Sequence, residues 1–550
     1  MPRRQFRTAI ATLAASLVLL TGCAGSSDES TSPASAEGGL TASGEPVRGG
    51  VLTYLDYQPL KSFQLSDLNW YQAQPLANNV FDRLVFQPGD GSEIKPWIAK
   101  SWTVSDDGLT YTFVLRDGVT FSDGTPLDAE NVKKNVEFRA FGDDKGNVKH
   151  ASWPNVDTVT ADNATSTVVV KLKKPFPYFL QILANGSASG LVANSYFAQD
   201  AAGQNKATSL IGSGPFVIKD GTLDETHYVR REGYAWAPEG VSNQGEAYLD
   251  GFTTVGVTED SVRLGSLESG QGDLIHYIDP SSQQVAEAQG LHVITQSYGD
   301  QGTYLLVLRS NAEYLDDVNV RKAINFAVDK QQLIDTVFAD NYTAATGLFG
   351  HAGKDYVDQS DKIAYDATKA GELLDQAGWT LGSDGVRKNA EGQPLKLVAL
   401  IDVYTVGAPA VFEFLQQQLK SVGIDLELRQ ADWADYPNAA KAADIGLIYQ
   451  SVNYSAAWSL ANAVRSDGAD VFKLQGKHAT LETLAQQVVT GTPQDEAQRH
   501  QDAVDFGNYV IDQAYVVPLT ERTQTFVSNS SVYDFTQTQS APWFYLISKD

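Results

Sequence analysis

From Thr110 to Leu115 polar and apolar residues alternate, with Thr110, Thr112 and Val114 interleaved with Tyr111, Phe113 and Leu115. A period of two sends successive side chains to opposite faces, so the run predicts a half-buried strand. Asp107-Gly108, Asp117-Gly118 and Asp123-Gly124 punctuate its surroundings. Glycine takes the positive φ of a tight turn at no steric cost, so these steps predict a hairpin and a short third strand. Beyond Asp128 the period changes. Val132 and Val136 fall one helical turn apart, with Asp128 as the candidate N-cap.

The same two periods organise the rest of the chain. Gly49 to Tyr54 predicts an opening strand, Ala73 to Asn79 a helix, and Val159, Val168, Val170 and Leu172 a second hairpin that Pro175 to Leu180 breaks into a helix. Apolar stripes at helical spacing occupy Val262, Leu264 and Leu267, then Ala370, Leu373, Leu374 and Ala377, then Phe412, Leu415 and Leu419. Asp366 and Pro409 start the last two of these helices, and Gly378 and Gly423 end them. Asp329 and Gln332 have the spacing of a capping box. Tyr304 to Leu308 is apolar throughout, as in a strand covered on both faces, and Ile424 to Leu428 alternates like a half-exposed one. Strands and helices alternate without an internal repeat, which predicts an α/β protein with a mixed sheet in each body. At 550 residues the chain exceeds what one core supports, so two or three domains are expected.

The N-terminal region departs from this plan. Arg3, Arg4 and Arg7 precede an apolar run from Ala9 to Leu20, too short to span a bilayer but suited to a signal-peptide core. The run ends in Leu20-Thr21-Gly22-Cys23, which resembles the bacterial lipobox, and Cys23 is the one cysteine of the chain. The resemblance implies cleavage before Cys23, its diacylation, and a lipid anchor on the extracytoplasmic face of the cell membrane. Arg3-Arg4-Gln5-Phe6 resembles a twin-arginine signal, and adjacent arginines also occur in ordinary leaders, so both export routes stay open. Residues 24–48 are Ser, Gly, Ala and Thr with almost nothing apolar, the composition of a flexible tether.

A net charge of −26 argues against nucleic-acid partners, which require basic patches. A single cysteine rules out an intramolecular disulfide and a cysteine metal site, and the 7 histidines are scattered, His276 and His292 being the nearest pair. No metal site or other cofactor is expected.

The stretch from Trp97 to Val132, WIAKSWTVSDDGLTYTFVLRDGVTFSDGTPLDAENV, closely resembles the signature of the family 5 extracellular solute-binding proteins, the peptide, dipeptide and nickel receptors of ABC importers. Ile211-Gly212-Ser213-Gly214-Pro215-Phe216 and the segment Asp317 to Lys330 resemble two further family motifs. Gly212-x-Gly214 is not a dinucleotide fingerprint, since Val217 stands where that pattern needs glycine. The resemblance implies a two-lobed periplasmic-binding-protein fold of type II, with discontinuous lobes and the extra N-terminal subdomain of the peptide receptors. The expected division is 1–22 signal peptide, 23–48 tether, 49–80 with 206–305 and 520–550 as lobe I, 81–205 as the subdomain, and 306–519 as lobe II. It also implies a monomer that delivers its ligand to an ABC permease and ATPase.

Such a receptor encloses its ligand by closing a hinge, so candidate wall residues are sought on aromatic, irregular segments. They are Tyr57 and Trp70, Asp402 and Tyr404, and Tyr449, Asn453, Tyr454 and Trp458. Peptide receptors carry an Asp in the loop equivalent to 449–458 for the ligand's N-terminal ammonium, but no acid stands between Ile445 and Leu460 here. Dipeptide receptors place an Arg near the position of Asp402, and nickel receptors a His in the late loop; both are missing. An unpaired buried ammonium is costly, so a free peptide needs another carboxylate. An oligopeptide-like or modified peptide is the first expectation, and a non-peptide amine, glycoside or metal chelate the second. An extracellular hydrolase is the reading from another class. Against it, Gly186-Ser187-Ala188-Ser189-Gly190 puts Ala188 where a nucleophile elbow needs Ser, and no HExxH occurs. A chaperone or adhesion lipoprotein on the same scaffold is a third reading.

Overall fold

The computed structural model describes residues 39–550, apart from 69–70, 90, 92, 151, 298–301, 403–404, 406, 432–434, 452–455, 469–471, 475–477, 492–494 and 539–540. The lipobox with Cys23 therefore lies outside the described residues, as do Trp70, Tyr404, Asn453 and Tyr454.

Three sheets carry the fold. Seven strands form the first, in the spatial order His292–Ser297, Thr523–Ser528, Leu274–His276, Val51–Asp56, Gly251–Gly256, Glu225–Arg230, Phe216–Gly221. Val51–Asp56 runs parallel to both of its neighbours, and the remaining pairs are antiparallel. Five strands form the second: Asp425–Ala431, Lys396–Asp402, Leu447–Ser451, Thr303–Leu308, Val516–Glu521. The first three of these are mutually parallel, and the last two are antiparallel to their neighbours. A four-stranded antiparallel sheet, Ala99–Val104, Thr110–Leu115, Thr167–Leu172, Val156–Asp162, is inserted in sequence between Val51–Asp56 and Phe216–Gly221 of the first. Only Arg522 separates the last strand of the five-stranded sheet from Thr523–Ser528 of the seven-stranded one.

Local chemistry explains most element boundaries. The alternating run forms the strand Thr110–Leu115, with Tyr111, Phe113 and Leu115 buried. Asp128 caps the helix Ala129–Phe141 by accepting from the Asn131 amide at 2.9 Å, and Asp366 caps Ala367–Gln376 through the Lys369 amide. The expected capping box is half made. Asp329 accepts from the Gln332 amide at 3.0 Å, but Gln418 of a neighbouring helix takes the Asp329 amide at 2.9 Å and binds the Gln332 carboxamide as well. The stripe in Asp260–Glu268 also differs: Leu264 and Leu267 are buried, while Val262 faces solvent and the buried Arg263 turns inward to cap the carbonyls of Val257, Thr258 and Tyr277. The glycines at 212 and 214 allow close backbone contact. A Cβ on Gly212 would lie 1.9 Å from the Val80 carbonyl oxygen, and Gly214 donates its amide to the same oxygen.

Where the four-stranded subdomain meets the seven-stranded body, charge is fully buried. Asp82 accepts from the Trp236 indole at 2.8 Å and the Tyr234 hydroxyl at 3.2 Å, and burial pushes its carboxyl above the usual range. Arg231 faces it and binds the carbonyls of Ser213, Thr120 and Phe121. Arg83 lies over the Trp97 ring with its charge 4.5 Å from the centroid and bonds Asn78; burial brings it down to about 10. Removing one member of such a network strands the others without water. Asp82→Ala is expected to destabilise the protein by about 3–5 kcal/mol in urea unfolding. A loss below about 1 kcal/mol would show that the network does not hold the subdomain in place.

Candidate functional site

In α/β sheets ligands bind beyond the carboxyl ends of parallel strands, where the connections diverge. Val51–Asp56, Gly251–Gly256 and Leu274–His276 are the parallel strands of the larger sheet, and Asp56-Tyr57 and His276-Tyr277 stand at two of these ends. Lys396–Asp402, Asp425–Ala431 and Leu447–Ser451 are their counterparts in the five-stranded sheet.

An aromatic cage forms at the first set of ends. The His276 ring is stacked between Tyr71, at 4.4 Å, and Phe526, at 4.8 Å. Tyr57 meets His276 and Tyr277 edge-on at 5.3 and 5.6 Å. Beneath the cage lies a buried pair: His276 Nδ1 stands 3.4 Å from Asp56 Oδ2, which accepts the Tyr54 hydroxyl at 3.0 Å. Asp56 Oδ1 and His276 Nδ1 have no hydrogen-bond partner among the described residues. Tyr277 adopts φ = 58°, a left-handed conformation that costs energy for a bulky residue. Both sides of its peptide unit are held, the amide by the Thr525 carbonyl at 2.8 Å and the carbonyl by Arg263.

The five-stranded sheet supplies the facing group. Tyr304 and Tyr449 come from adjacent strands and stack at 5.3 Å, with Phe412 behind Tyr449. Burial first, then the neighbouring phenols of Tyr304, Tyr342 and Tyr277, holds Tyr449 well above the usual tyrosine range. Tyr277 is raised in the same way, by burial and then by Asp279, Tyr342 and Tyr304. Tyr304 and Tyr449 are thus in ring contact, and Tyr277 and Tyr342, from the other sheet's strand end and the segment between two helices, lie near enough to act on them electrostatically. The Tyr449 hydroxyl is buried and has no hydrogen-bond partner among the described residues. Buried polar atoms left open beside π-faces suit a neutral or amphipathic guest with a few polar groups.

The residues singled out from sequence divide three ways. Tyr57 and Tyr449 lie in this convergence. Asp402 ends its strand half-buried and accepts the Thr405 hydroxyl at 2.9 Å; burial, and then the charge of Asp402, raises the Tyr436 phenol. Trp458 is buried elsewhere, packed on Phe176 at 5.7 Å and Tyr178 at 6.5 Å of the subdomain segment. Tyr71, His276, Tyr277, Tyr304, Tyr342 and Asp56 carry no local motif. Aromatic residues directly after a predicted parallel strand, as in Asp56-Tyr57 and His276-Tyr277, are the one signal that points to them. No group of three or more His, Cys, Asp or Glu able to hold a metal ion occurs among the described residues.

Residues 93–470 match the family model described as bacterial extracellular solute-binding proteins, family 5 middle. The nickel-binding periplasmic protein of Escherichia coli K12 is 31% identical over 360 residues, 64% of this chain and 65% of that protein. A glutathione-binding protein of Salmonella typhi is 29% identical over 367 residues, 66% of each chain. The matched stretch thus spans just under two thirds of the length of these relatives. Among solved structures, NikA from Brucella suis in complex with Fe(III)-EDTA superimposes with a TM-score of 0.77 at 24% identity, covering 91% of this chain and 100% of that one. The oligopeptide-binding protein of Bacillus subtilis in complex with a nonapeptide gives 0.74 at 17% identity, covering 92% and 100%. At these identities the structural likeness shows the fold: an α/β, two-lobed binding-protein architecture.

Tyr449→Phe removes a buried hydroxyl that bonds nothing among the described residues. Urea unfolding of solute-free protein is expected to find the variant unchanged or more stable by about 1 kcal/mol. A loss of 2 kcal/mol or more, on the order of a buried bond broken, would show that the hydroxyl has a protein partner.

Proposed function

Because the chain belongs to family 5 of the bacterial extracellular solute-binding proteins, we propose that it is the substrate-binding component of an ABC importer, capturing a small solute between two lobes and delivering it to the permease and ATPase. The observation that supports this most directly is the convergence of Tyr277, Tyr304, Tyr342 and Tyr449 from both sheets. A receptor binds by enclosure, and walls contributed by two bodies make closure and binding one event. In this proposal the lobes divide near the bounds expected from sequence, with lobe II extended from 306–519 to Thr303–Glu521 so that each strand stays with its sheet. Arg522, the single residue between Val516–Glu521 and Thr523–Ser528, is then a hinge point. Lipidation at Cys23 keeps the receptor at the membrane surface; the expected tether does not reach 48, because Leu40 bridges to Tyr533 and the Ala42 amide donates to Asp534 on the body.

The proposed ligand is oligopeptide-like or a modified peptide. The relatives are named for nickel, glutathione and peptide, so the scaffold accepts several chemistries. Without an acid between Ile445 and Leu460, and with Asp402 engaged by Thr405, a free N-terminal ammonium lacks its usual counter-charge on the lobe II side. A ligand whose amine is blocked or absent fits better.

Two experiments check this. Native mass spectrometry of the purified protein should reveal a co-purified solute, and incubation should return it chemically unchanged. N-acetylated tri- to pentapeptides should raise the melting temperature at least as much as the free forms. Turnover of the solute would replace the receptor with a hydrolase, and protection by free peptides alone would overturn the ligand class. For the anchor, Cys23→Ser should move the protein from the membrane fraction to the soluble one and abolish lipid labelling. An unlabelled wild-type chain would end the lipoprotein proposal.

A further inference from the structure

A cavity lies away from the tyrosines. It is bounded on one side by the subdomain and on the other by the helices Ala456–Val464 and Ala479–Thr490, and measures about 240 Å³. It shares no lining residue with the aromatic convergence. Liquid water takes about 30 Å³ per molecule, so the space holds several waters or one small polyatomic ion.

Its walls are cationic in a chain whose net charge is −26. Lys149 and Lys174 enter from the subdomain and Arg465 from the opposite side, while Trp153, Phe176 and Trp458 supply flat apolar surface. Arg465 is 8% exposed. One of its terminal nitrogens meets Asp467 at 2.5 Å, yet its buried Nε–H has no hydrogen-bond partner among the described residues. Asp467, itself well exposed, is the one carboxylate in the lining. Lys149 donates only to the neutral Asn155 side chain, at 2.8 Å. Burial and then the charge of Lys173 hold its ammonium below the ordinary lysine range, the mark of a cation without full compensation. An unsatisfied guanidinium donor and two ammonium groups around one cavity form an anion receptor, since charge-assisted bonds to an oxyanion meet all three at once.

We propose that this seam cavity is a binding site for a small oxyanion group, a carboxylate or a phosphate, held by Lys149, Lys174 and Arg465. The group is either a free anion or the acidic end of a longer solute. The site does not depend on the transport reading, because it requires only the contact of the two bodies.

Isothermal titration calorimetry of the full chain tests it, with inorganic phosphate at an ionic strength fixed by chloride, and in parallel with triglycine and its C-terminal amide. Lys149→Gln/Lys174→Gln is the comparison variant. Lys174 is exposed and Lys149 partly so, so the fold survives, and general stabilisation by phosphate affects both proteins equally. A saturable phosphate heat in the wild type, weakened at least tenfold in the variant, assigns the site to free anions. A lysine-dependent heat confined to triglycine with its free carboxylate assigns it to the end of a solute. No heat from either probe, or heats equal in the two proteins, overturns the proposal.

Discussion

The fold rests on the pairing of Thr303–Leu308 with Val516–Glu521, two fully buried strands more than two hundred positions apart. A buried backbone must find its hydrogen bonds inside the protein, so the two segments are locked together and the chain between them is closed into a loop. Pro518 sits opposite Leu305 at a register shift, on the strand that forms the edge of its sheet, where a missing amide is tolerated. The strand is followed, after Arg522, by one that belongs to the other sheet. Both sheets are thereby held so close that Tyr304, at the start of this pairing, shares a neighbourhood with Tyr277 on the far side.

Buried polar groups in the molecule fall into two kinds, and the difference marks their roles. Around Asp82 the carboxylate is met by an indole and a phenol, with two guanidinium groups nearby whose cost is set against carbonyls and an aromatic face. That network joins the subdomain to its neighbour. Around Asp56, His276 and Tyr449 the bonding is incomplete, although these atoms are equally withdrawn from water. Open bonding capacity beside aromatic walls is expensive unless something else completes it; Asp56, His276 and Tyr449 place some of it at the strand ends, while Arg83 keeps two open nitrogens inside the Asp82 network.

The same scaffold serves relatives named for nickel and for glutathione, which separates what is held constant from what varies. Strand pairing, glycine contacts such as Gly212 against Val80, and helix caps concern the chain's own backbone. Ligand choice falls to side chains on the segments beyond the strands, where substitution costs little packing. The late loop without an acid is a variation of this kind.

Much of the fold was legible in the sequence because its causes are local. Period-two alternation gave the strand at Thr110–Leu115, and Asp128 and Asp366 cap their helices through their own near neighbours. The family motifs lie in these locally determined turns, which is why they announce the architecture. Non-local partners decided the rest. Gln418 displaced Gln332 from half of a cap, Val262 was left in solvent because Arg263 found carbonyls to bind, and Trp458 packed on Phe176. Of the site residues read from sequence that are among the described residues, Tyr57 and Tyr449 lie with the tyrosines and Asp402 and Trp458 do not, while Tyr277, Tyr304 and Tyr342 carry no local signal of their own. A single side chain contacts whatever the folded chain brings to it. Caps and periods are set within a few residues, but the walls of a cleft are set by strand pairings hundreds of residues long.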